Sequence, residues 1–188
     1  MRRHPAPMLF AIMLALGACA APADRSNMTV SQVQTPAGPA DASLIDGVAV
    51  GSVDGGQETS ALGTSEVDNE DFQSALMDSL RNYGLLAEGS APRHILYAHL
   101  LEVHQPLVGL NMTVTAKVQY ELTDAVNGQP TQERTVETEF TSPFGAAFAA
   151  DERTRLANEG AIRENIAEFL DWLNRKPPAG VGAPMALR

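Results

Sequence analysis

The clearest pattern in the chain is a strict alternation of apolar and polar residues from Leu110 to Thr123. The alternating apolar residues are Leu110, Met112, Val114, Ala116, Val118, Tyr120 and Leu122. A period of two predicts a long β-strand with one buried face and one face in water. The Asn127–Gly128 pair predicts a hairpin turn, and a returning strand over about residues 132–141 is expected to pair with the first.

Two earlier segments also have the composition of strands. Residues 47–53 form a short β-branched run that ends at Asp54-Gly55-Gly56. Residues 94–104 are apolar on both faces, which is typical of a strand covered on both sides, or covered on one side and facing a partner on the other. One face is Ile95, Tyr97, Leu101 and Val103, and the other is Leu96, Ala98 and Leu100.

Two segments have the period of an amphipathic helix. Asp68 or Asn69 is expected to cap the first, and Gly84 to end it. Its apolar face is Phe72, Leu76, Leu80 and Tyr83. The second helix is predicted over residues 151–175, with an apolar stripe of Leu156, Ile162, Ile166, Phe169, Leu170 and Leu173.

The order strand, helix, three strands, helix predicts the fold class. A right-handed crossover makes the first two strands parallel, and short turns make the later ones antiparallel. We therefore expect an α+β two-layer sandwich, in which two helices pack on one face of a mixed four-stranded sheet. This single domain is expected over residues 44–176, followed by a disordered tail over residues 177–188 that is rich in proline, glycine and alanine.

The beginning of the chain has the layout of a secretory signal. Arg2 and Arg3 precede an apolar run that is too short to span a bilayer comfortably and that ends in Leu16-Gly17-Ala18-Cys19. Residues 1–18 are therefore predicted to be a signal peptide that ends just before a cysteine. A soluble secreted protein cleaved after Ala18, or an uncleaved anchor, would have a similar leader. Residues 19–43 are expected to be the modified cysteine and a flexible tether, because they contain few large apolar side chains.

Charge and cysteine content exclude some functions. Thirteen basic and 23 acidic residues give a formal net charge of −10, and loss of two arginines with the leader lowers it to −12. A domain this acidic is repelled by nucleic acid and by anionic lipid, so neither is an expected partner. The acids either keep the domain soluble or suit a basic partner. Cys19 is the single cysteine, so the chain has no internal disulfide.

Candidate chemistry is sparse. One predicted strand contains three histidines, His94, His99 and His104, which could suggest a metal site. On a regular strand, however, His99 faces away from the other two, and those two lie about 33 Å apart. Zinc needs converging ligands, so no metal site and no cofactor is expected. The chain has no nucleophile elbow, phosphate loop or paired metal motif. Glu133, Glu137 and Glu139 are interpreted as a solvated strand face, and the protein is not expected to be an enzyme.

Two predicted loops are unusually apolar. One contains Leu107 and Val108, and the other contains Phe144 and Phe148. The rings could fold onto the start of the last helix as a hydrophobic staple. Alternatively, these four side chains form an exposed patch that binds a partner.

The element order behind this leader resembles the small outer-membrane lipoproteins of the YajG type, the lipopolysaccharide-assembly lipoproteins and the auxiliary lipoproteins of lipid-transport systems. The local similarities are Tyr83-Gly84, Val118-Gln119-Tyr120-Glu121-Leu122 and Arg163-Glu164-Asn165-Ile166. The resemblance implies that Cys19 carries acyl chains such as palmitate. With Ala20 after the cysteine, it also implies an outer-membrane protein whose domain faces the periplasm. No lipopolysaccharide-contacting residue is carried over.

Two functions follow as hypotheses. In the first, the domain is a non-catalytic adaptor in envelope assembly or lipopolysaccharide transport and acts through contacts with an envelope protein. In the second, it binds a lipid or small apolar ligand between the sheet and the helices. A buried apolar pocket behind Leu96, Ala98 and Leu100 would favour the second hypothesis, and a flat exposed patch the first.

Overall fold

The fold is built on one four-stranded sheet. The computed structural model describes residues 20–31, 41–59, 65–106 and 109–175. The strands are β1 (Val48–Asp54), β2 (His94–His104), β3 (Met112–Asp124) and β4 (Pro130–Ser142), and they lie in the order β1-β2-β3-β4. β1 and β2 are parallel, whereas β2 with β3 and β3 with β4 are antiparallel.

The alternating strand has the predicted buried face. Six of its seven apolar positions, from Met112 to Leu122, are at most 4% exposed. The intervening polar residues lie on the opposite, solvated face. Leu110 is the exception: it is 72% exposed and precedes the strand, so its assignment to the buried face was wrong. The hairpin turn lies at the predicted place, where Gly128 has a φ of 69° that favours glycine.

β2 differs from the sequence prediction on its second face. Leu96, Ala98 and Leu100 are buried, but Tyr97 is 36% and Leu101 is 45% exposed. The register with β3 shifts between Leu100 and Glu102, which is the mark of a β-bulge. Within the described residues β2 is therefore covered on one side only, so the prediction that both sides are covered by the domain was wrong, and a partner on the other side stays a prediction.

In the described residues three α-helices accompany the sheet: α1 (Arg25–Met28), α2 (Asn69–Asn82) and α3 (Ala150–Asn174). The side chain of Asp68 accepts a hydrogen bond of 2.8 Å from the backbone N–H of Asp71, which confirms the predicted cap of α2. Gly84 follows the helix with a φ of 67°, as a C-terminal stop requires. α2 packs on β1, and α3 packs on β3 and β4. Among the described residues, no helix is both long and apolar enough to cross a bilayer.

A buried polar group lies between α3 and the sheet. Asn165 accepts a hydrogen bond from the hydroxyl of Tyr120 at 2.9 Å and donates to the carbonyls of Ala116 and Val136. Burial raises the pKa of Tyr120, so its hydroxyl stays protonated and available as the donor. The ring of Tyr120 stacks on Phe169 with centroids 4.0 Å apart. These contacts fix the register of α3 against β3 and β4.

Part of the expected flexible tether is folded. Residues 23–30, called the strap here, include α1 and lie against α2 and α3, with Ala23, Met28 and Val30 buried. The backbone N–H of Asp24 and the side chain of Asn27 donate to the carboxylate of Glu159 at 2.9 and 3.0 Å. The tether prediction was therefore wrong for this segment, because three apolar side chains and a buried acceptor hold it. Residues 32–40, the leader and the C-terminal tail lie outside the described residues.

The predicted fold class is confirmed. The described residues form an α+β sandwich, with a mixed sheet as one layer and α2 and α3 as the other. The core lies between the two layers, and the short strap packs on α2 and α3 and adds Ala23, Met28 and Val30 to it. The opposite face of the sheet is not covered by any described element.

Candidate functional site

The uncovered side of the sheet is the best candidate for a functional surface, and it is called the open face below. Its outward residues follow from the strand register, because partners across a ladder share a face. They are Ala49, Gly51 and Asp54 on β1, Ile95, Tyr97, His99, Glu102 and His104 on β2, Thr113, Thr115, Lys117, Gln119 and Glu121 on β3, and Glu133, Thr135, Glu137, Glu139 and Thr141 on β4. This surface spans all four strands.

An aromatic side chain forms the centre of its β1–β2 half. A Cβ atom at Gly51 would lie 2.5 Å from the ring of Tyr97, so the absence of a side chain at this position leaves room for the ring. The ring covers the glycine backbone of the neighbouring strand, an arrangement that compensates for a glycine in a sheet. Tyr97 and Leu101 present exposed apolar surface, and Ile95 beside them is half-buried.

Acidic residues predominate among the charged side chains of the open face. They are Asp54 on β1, Glu102 on β2 and Glu121, Glu133, Glu137 and Glu139 on β3 and β4, against one lysine, Lys117. The ammonium of Lys117 lies 3.2 Å from the carboxylate of Glu137. Gln119 donates to Glu133 at 2.5 Å, and His99 Nδ1 contacts the carboxylate of Asp54. The excess of acids would favour a partner that brings positive charge or polar donors.

The depressions on this face are shallow. One of about 110 Å³ lies beside Tyr97 and His99, and another of about 320 Å³ lies around His104 and Lys117. Pockets for small ligands usually enclose about 300–1,000 Å³ and are mostly apolar. The first depression is too small, and charged side chains line the second. A broad contact surface fits the open face better than a ligand pocket.

A larger groove of about 580 Å³ runs along the strap. Asp24, Arg25, Asp71 and Arg155 line much of it, so it does not offer an apolar ligand a matching environment. The predicted ligand site was elsewhere, behind β2. There Leu96, Ala98 and Leu100 are at most 4% exposed and belong to the continuous core between the layers.

The three histidines do not lie where a regular strand would place them. The bulge in β2 brings His104 opposite Thr115, so His104 shares the open face with His99, while His94 lies on the other side. The prediction that His94 and His104 share a face was therefore wrong. His99 is exposed and contacts Asp54 on the neighbouring strand. In the part of the chain that the structure describes, no group of three or more histidine, cysteine or acidic residues could hold a metal ion.

The structure describes two of the four predicted contact residues, Phe144 and Phe148. Phe144 is 58% exposed, and Phe148 is fully exposed. The guanidinium of Arg153, in the first turn of α3, lies 5.1 Å from the centroid of the Phe144 ring. Phe144 therefore touches the start of the helix, as a staple would, whereas Phe148 does not pack on it. Cys19, Leu107 and Val108 lie outside the described residues.

Sequence reasoning missed Glu159 and Asn165, the two polar residues that organise α3. Both lie three residues from Ile162, and Asn165 also lies four residues before Phe169, so both fall within the predicted apolar stripe. A polar residue at such a position is a signal for a buried hydrogen-bonding role. Burial raises the pKa of the Glu159 carboxyl, although the strap and Arg155 donate hydrogen bonds to it.

Comparison with known proteins supports the fold. No protein-family model and no curated protein sequence matches the chain. Among solved structures, the chain is similar to protein XCC0632 of Xanthomonas campestris, of the DUF330 family, with a TM-score of 0.57 and 12% identity over 78% of this chain and 92% of that one. At this identity the similarity shows that the two proteins share a fold, and it gives no information about function.

Two further structures are more distant. A proposed lipoprotein from Caulobacter crescentus CB15 has a TM-score of 0.45 and 21% identity, covering 73% of this chain and 97% of its own. A minor lipoprotein from Acinetobacter baumannii has a TM-score of 0.45 and 12% identity, covering 69% of this chain and 91% of its own. The more specific resemblance to YajG-type and lipopolysaccharide-assembly proteins stays a prediction.

Proposed function

We propose that the protein is a membrane-anchored envelope lipoprotein that acts without catalysis, as an adaptor or accessory in envelope assembly or transport. In this proposal Cys19 carries the lipid, the domain faces the periplasm from the outer membrane, and the open face binds an envelope protein. The observation that carries the adaptor role is the open face itself, which spans four strands and includes exposed Tyr97, with exposed Leu101 next to it at the bulge of β2.

The anchoring part of the proposal depends on the sequence of the leader. A basic start, a short apolar run and small residues before Cys19 have the layout of a secretory signal, and the resemblance to bacterial lipoproteins implies that this cysteine receives the lipid. One acyl chain holds a protein to a bilayer only weakly, so stable anchoring needs more than one chain on this cysteine. The acidic domain gives no electrostatic help on anionic lipid.

The contact role follows from the physical character of the open face. Monomeric proteins rarely leave a large surface with apolar groups unpartnered, and such surfaces mark sites of protein contact. Aromatic residues such as Tyr97 contribute disproportionately to binding when a partner buries them. The acids around it would exclude anionic partners and select a basic or polar surface.

Site-specific photocrosslinking in intact cells tests this role. A photoreactive phenylalanine analogue at Tyr97 is expected to give one discrete protein adduct. The same analogue at Glu164, which is exposed on the helix layer, is the matched control and is expected to give none. A second substitution, Leu101→Asp, should reduce the Tyr97 adduct without unfolding the domain, because Leu101 is already 45% exposed.

The outcome that would contradict the adaptor role is equal crosslinking from Tyr97 and Glu164, or none from either. Recovery of a lipid adduct instead of a protein adduct would favour the ligand-binding hypothesis. Intact-mass measurement of the adduct distinguishes the two.

A further inference from the structure

Exposed apolar side chains gather at one end of the sandwich. Leu110 precedes β3, and Phe144 and Phe148 lie between β4 and α3; they are 72%, 58% and fully exposed. The backbone N–H of Phe144 donates to the side chain of Asn111 at 3.0 Å, which joins the two segments. These three residues are called the apolar end below. The turn between β3 and β4 lies at the other end, about 40 Å away along a strand of this length.

The loop that carries Phe148 is fixed by the protein. Arg153 is 5% exposed, and its guanidinium donates to the backbone carbonyls of Ala147, Phe148 and Ala149 at 2.8, 3.1 and 3.3 Å. The ring of Phe148 is therefore held outward by an ordered backbone. A large apolar side chain that is held in water in this way loses the free energy that burial would provide.

The strap limits the distance from α3 at which the proposed anchor at Cys19 can lie. Asp24 is bonded to Glu159, nine residues along α3 from Ala150, and this corresponds to about 14 Å along the helix axis. Ala21 and Pro22 line the same groove as Arg155, which lies nearer than Glu159 to the start of α3. Five residues span at most about 17 Å, which is enough to reach the level of the apolar end. The far end of α3, at Asn174, is about 22 Å from Glu159 along the axis and lies beyond that reach.

From these placements we infer that the apolar end inserts into the surface of the bilayer that holds the lipid anchor, so that the domain stands with α3 pointing away from the membrane. The inference rests on the proposed attachment of lipid to Cys19. Phe144 and Phe148 then contact lipid, in place of the protein partner that their sequence pattern suggested. Side chains in such an interface bury about 5–10 Å into the boundary between headgroups and acyl chains.

The local charges permit this contact. Glu152 pairs with Arg155 at 2.6 Å, and the guanidinium of Arg153 lies against Phe144. This end thus has cations beside its acids, unlike the open face, where acids predominate. In the standing orientation the open face remains accessible from the side, as the adaptor role requires.

Tryptophan fluorescence provides the test, because Trp172 is the single tryptophan and lies about 33 Å from the start of α3. The full-length lipidated protein, with its acyl mass confirmed, is reconstituted in vesicles of brominated phosphatidylcholine. Phe148→Trp is compared with Val126→Trp, a matched control that replaces a 94% exposed residue in the turn at the opposite end. Leu110→Trp is a second probe of the apolar end.

We expect the added fluorescence of Phe148→Trp and Leu110→Trp to shift to the blue and to be quenched by the brominated lipid, with no such change for Val126→Trp. Equal quenching at both ends, or quenching of Val126→Trp alone, would overturn the inference and leave the lipoprotein proposal intact. Absence of acyl mass on Cys19 would overturn the lipoprotein proposal, and the inference with it.

Discussion

The close contact between α3 and β4 at Gly160 predicts that a larger side chain at this position destabilises the protein. Gly160 is buried in the middle of the helix. A Cβ atom at this position would lie 2.2 Å from Cδ1 and 2.4 Å from Cγ of the Phe140 ring. Carbon atoms in contact normally lie about 3.5–4.0 Å apart, so Gly160→Ala creates an overlap of more than about 1 Å. Since Cγ lies on the axis about which the ring turns, a flip of the ring about the Cβ–Cγ bond does not remove the clash.

Two opposing effects determine the size of the change. Alanine in place of glycine stabilises a helix by about 1 kcal/mol. Overpacking of a core costs about 1–3 kcal/mol and occasionally more, and an overlap with ring atoms on a strand falls at the upper end. We therefore expect Gly160→Ala to lower the free energy of unfolding by about 1–2 kcal/mol, measured by urea denaturation followed by circular dichroism.

A double-mutant cycle makes the reasoning specific to the ring. In a Phe140→Ala background the clash is gone, so Gly160→Ala should stabilise the protein by about 1 kcal/mol through helix propensity alone. Gly145→Ala is the control for a glycine with open space around it, and its effect should stay within about 0.5 kcal/mol. A neutral or stabilising Gly160→Ala in the wild-type background, or an effect with the same sign in both backgrounds, would refute the reasoning.

Three further predictions concern the core, the strap and the anchor. Val118→Asp places an unpaired charge in the core and should cost several kcal/mol in urea melts, whereas Gln119→Asp on the open face should cost less than about 1 kcal/mol; equal losses would contradict the assigned faces. Glu159→Ala removes the acceptor of the Asp24 N–H, so amide exchange should accelerate across the strap while the sheet stays protected, and unchanged exchange would mean that Glu159 does not hold the strap. Cys19→Ser should abolish acylation and membrane fractionation, and unchanged partitioning would remove the lipoprotein proposal.

Local sequence patterns predicted most of the sheet and both long helices. The alternation from Met112 to Leu122 identified the buried face of β3, because the side-chain period of a strand is two and one face packs on helices. The cap at Asp68 and the stop at Gly84 are equally local, since each depends on the dihedral angles and hydrogen bonds of one turn.

The features that the sequence did not predict depend on distant contacts. The strap is bonded to Glu159 across 135 positions of sequence, so its composition alone resembles that of a linker. The bulge near Leu101 moves His104 to the open face, and the local sequence around these two residues does not indicate a bulge. The ring of Tyr97 lies over Gly51 of the neighbouring strand, which becomes evident only when the two strands are paired. Much of the candidate contact surface is therefore a product of register.

Cysteine labelling in native membranes tests the adaptor role of the open face most directly. Cys19 is the single cysteine and would be acylated in the mature protein, so Thr135→Cys on the open face and Glu164→Cys on the helix layer would each introduce one free thiol. We predict that a maleimide reagent labels Cys at position 164 equally in native membranes and in purified protein, but labels Cys at position 135 much more slowly in the membranes. Equal labelling at both positions in native membranes would show that no partner covers the open face and would contradict the adaptor role.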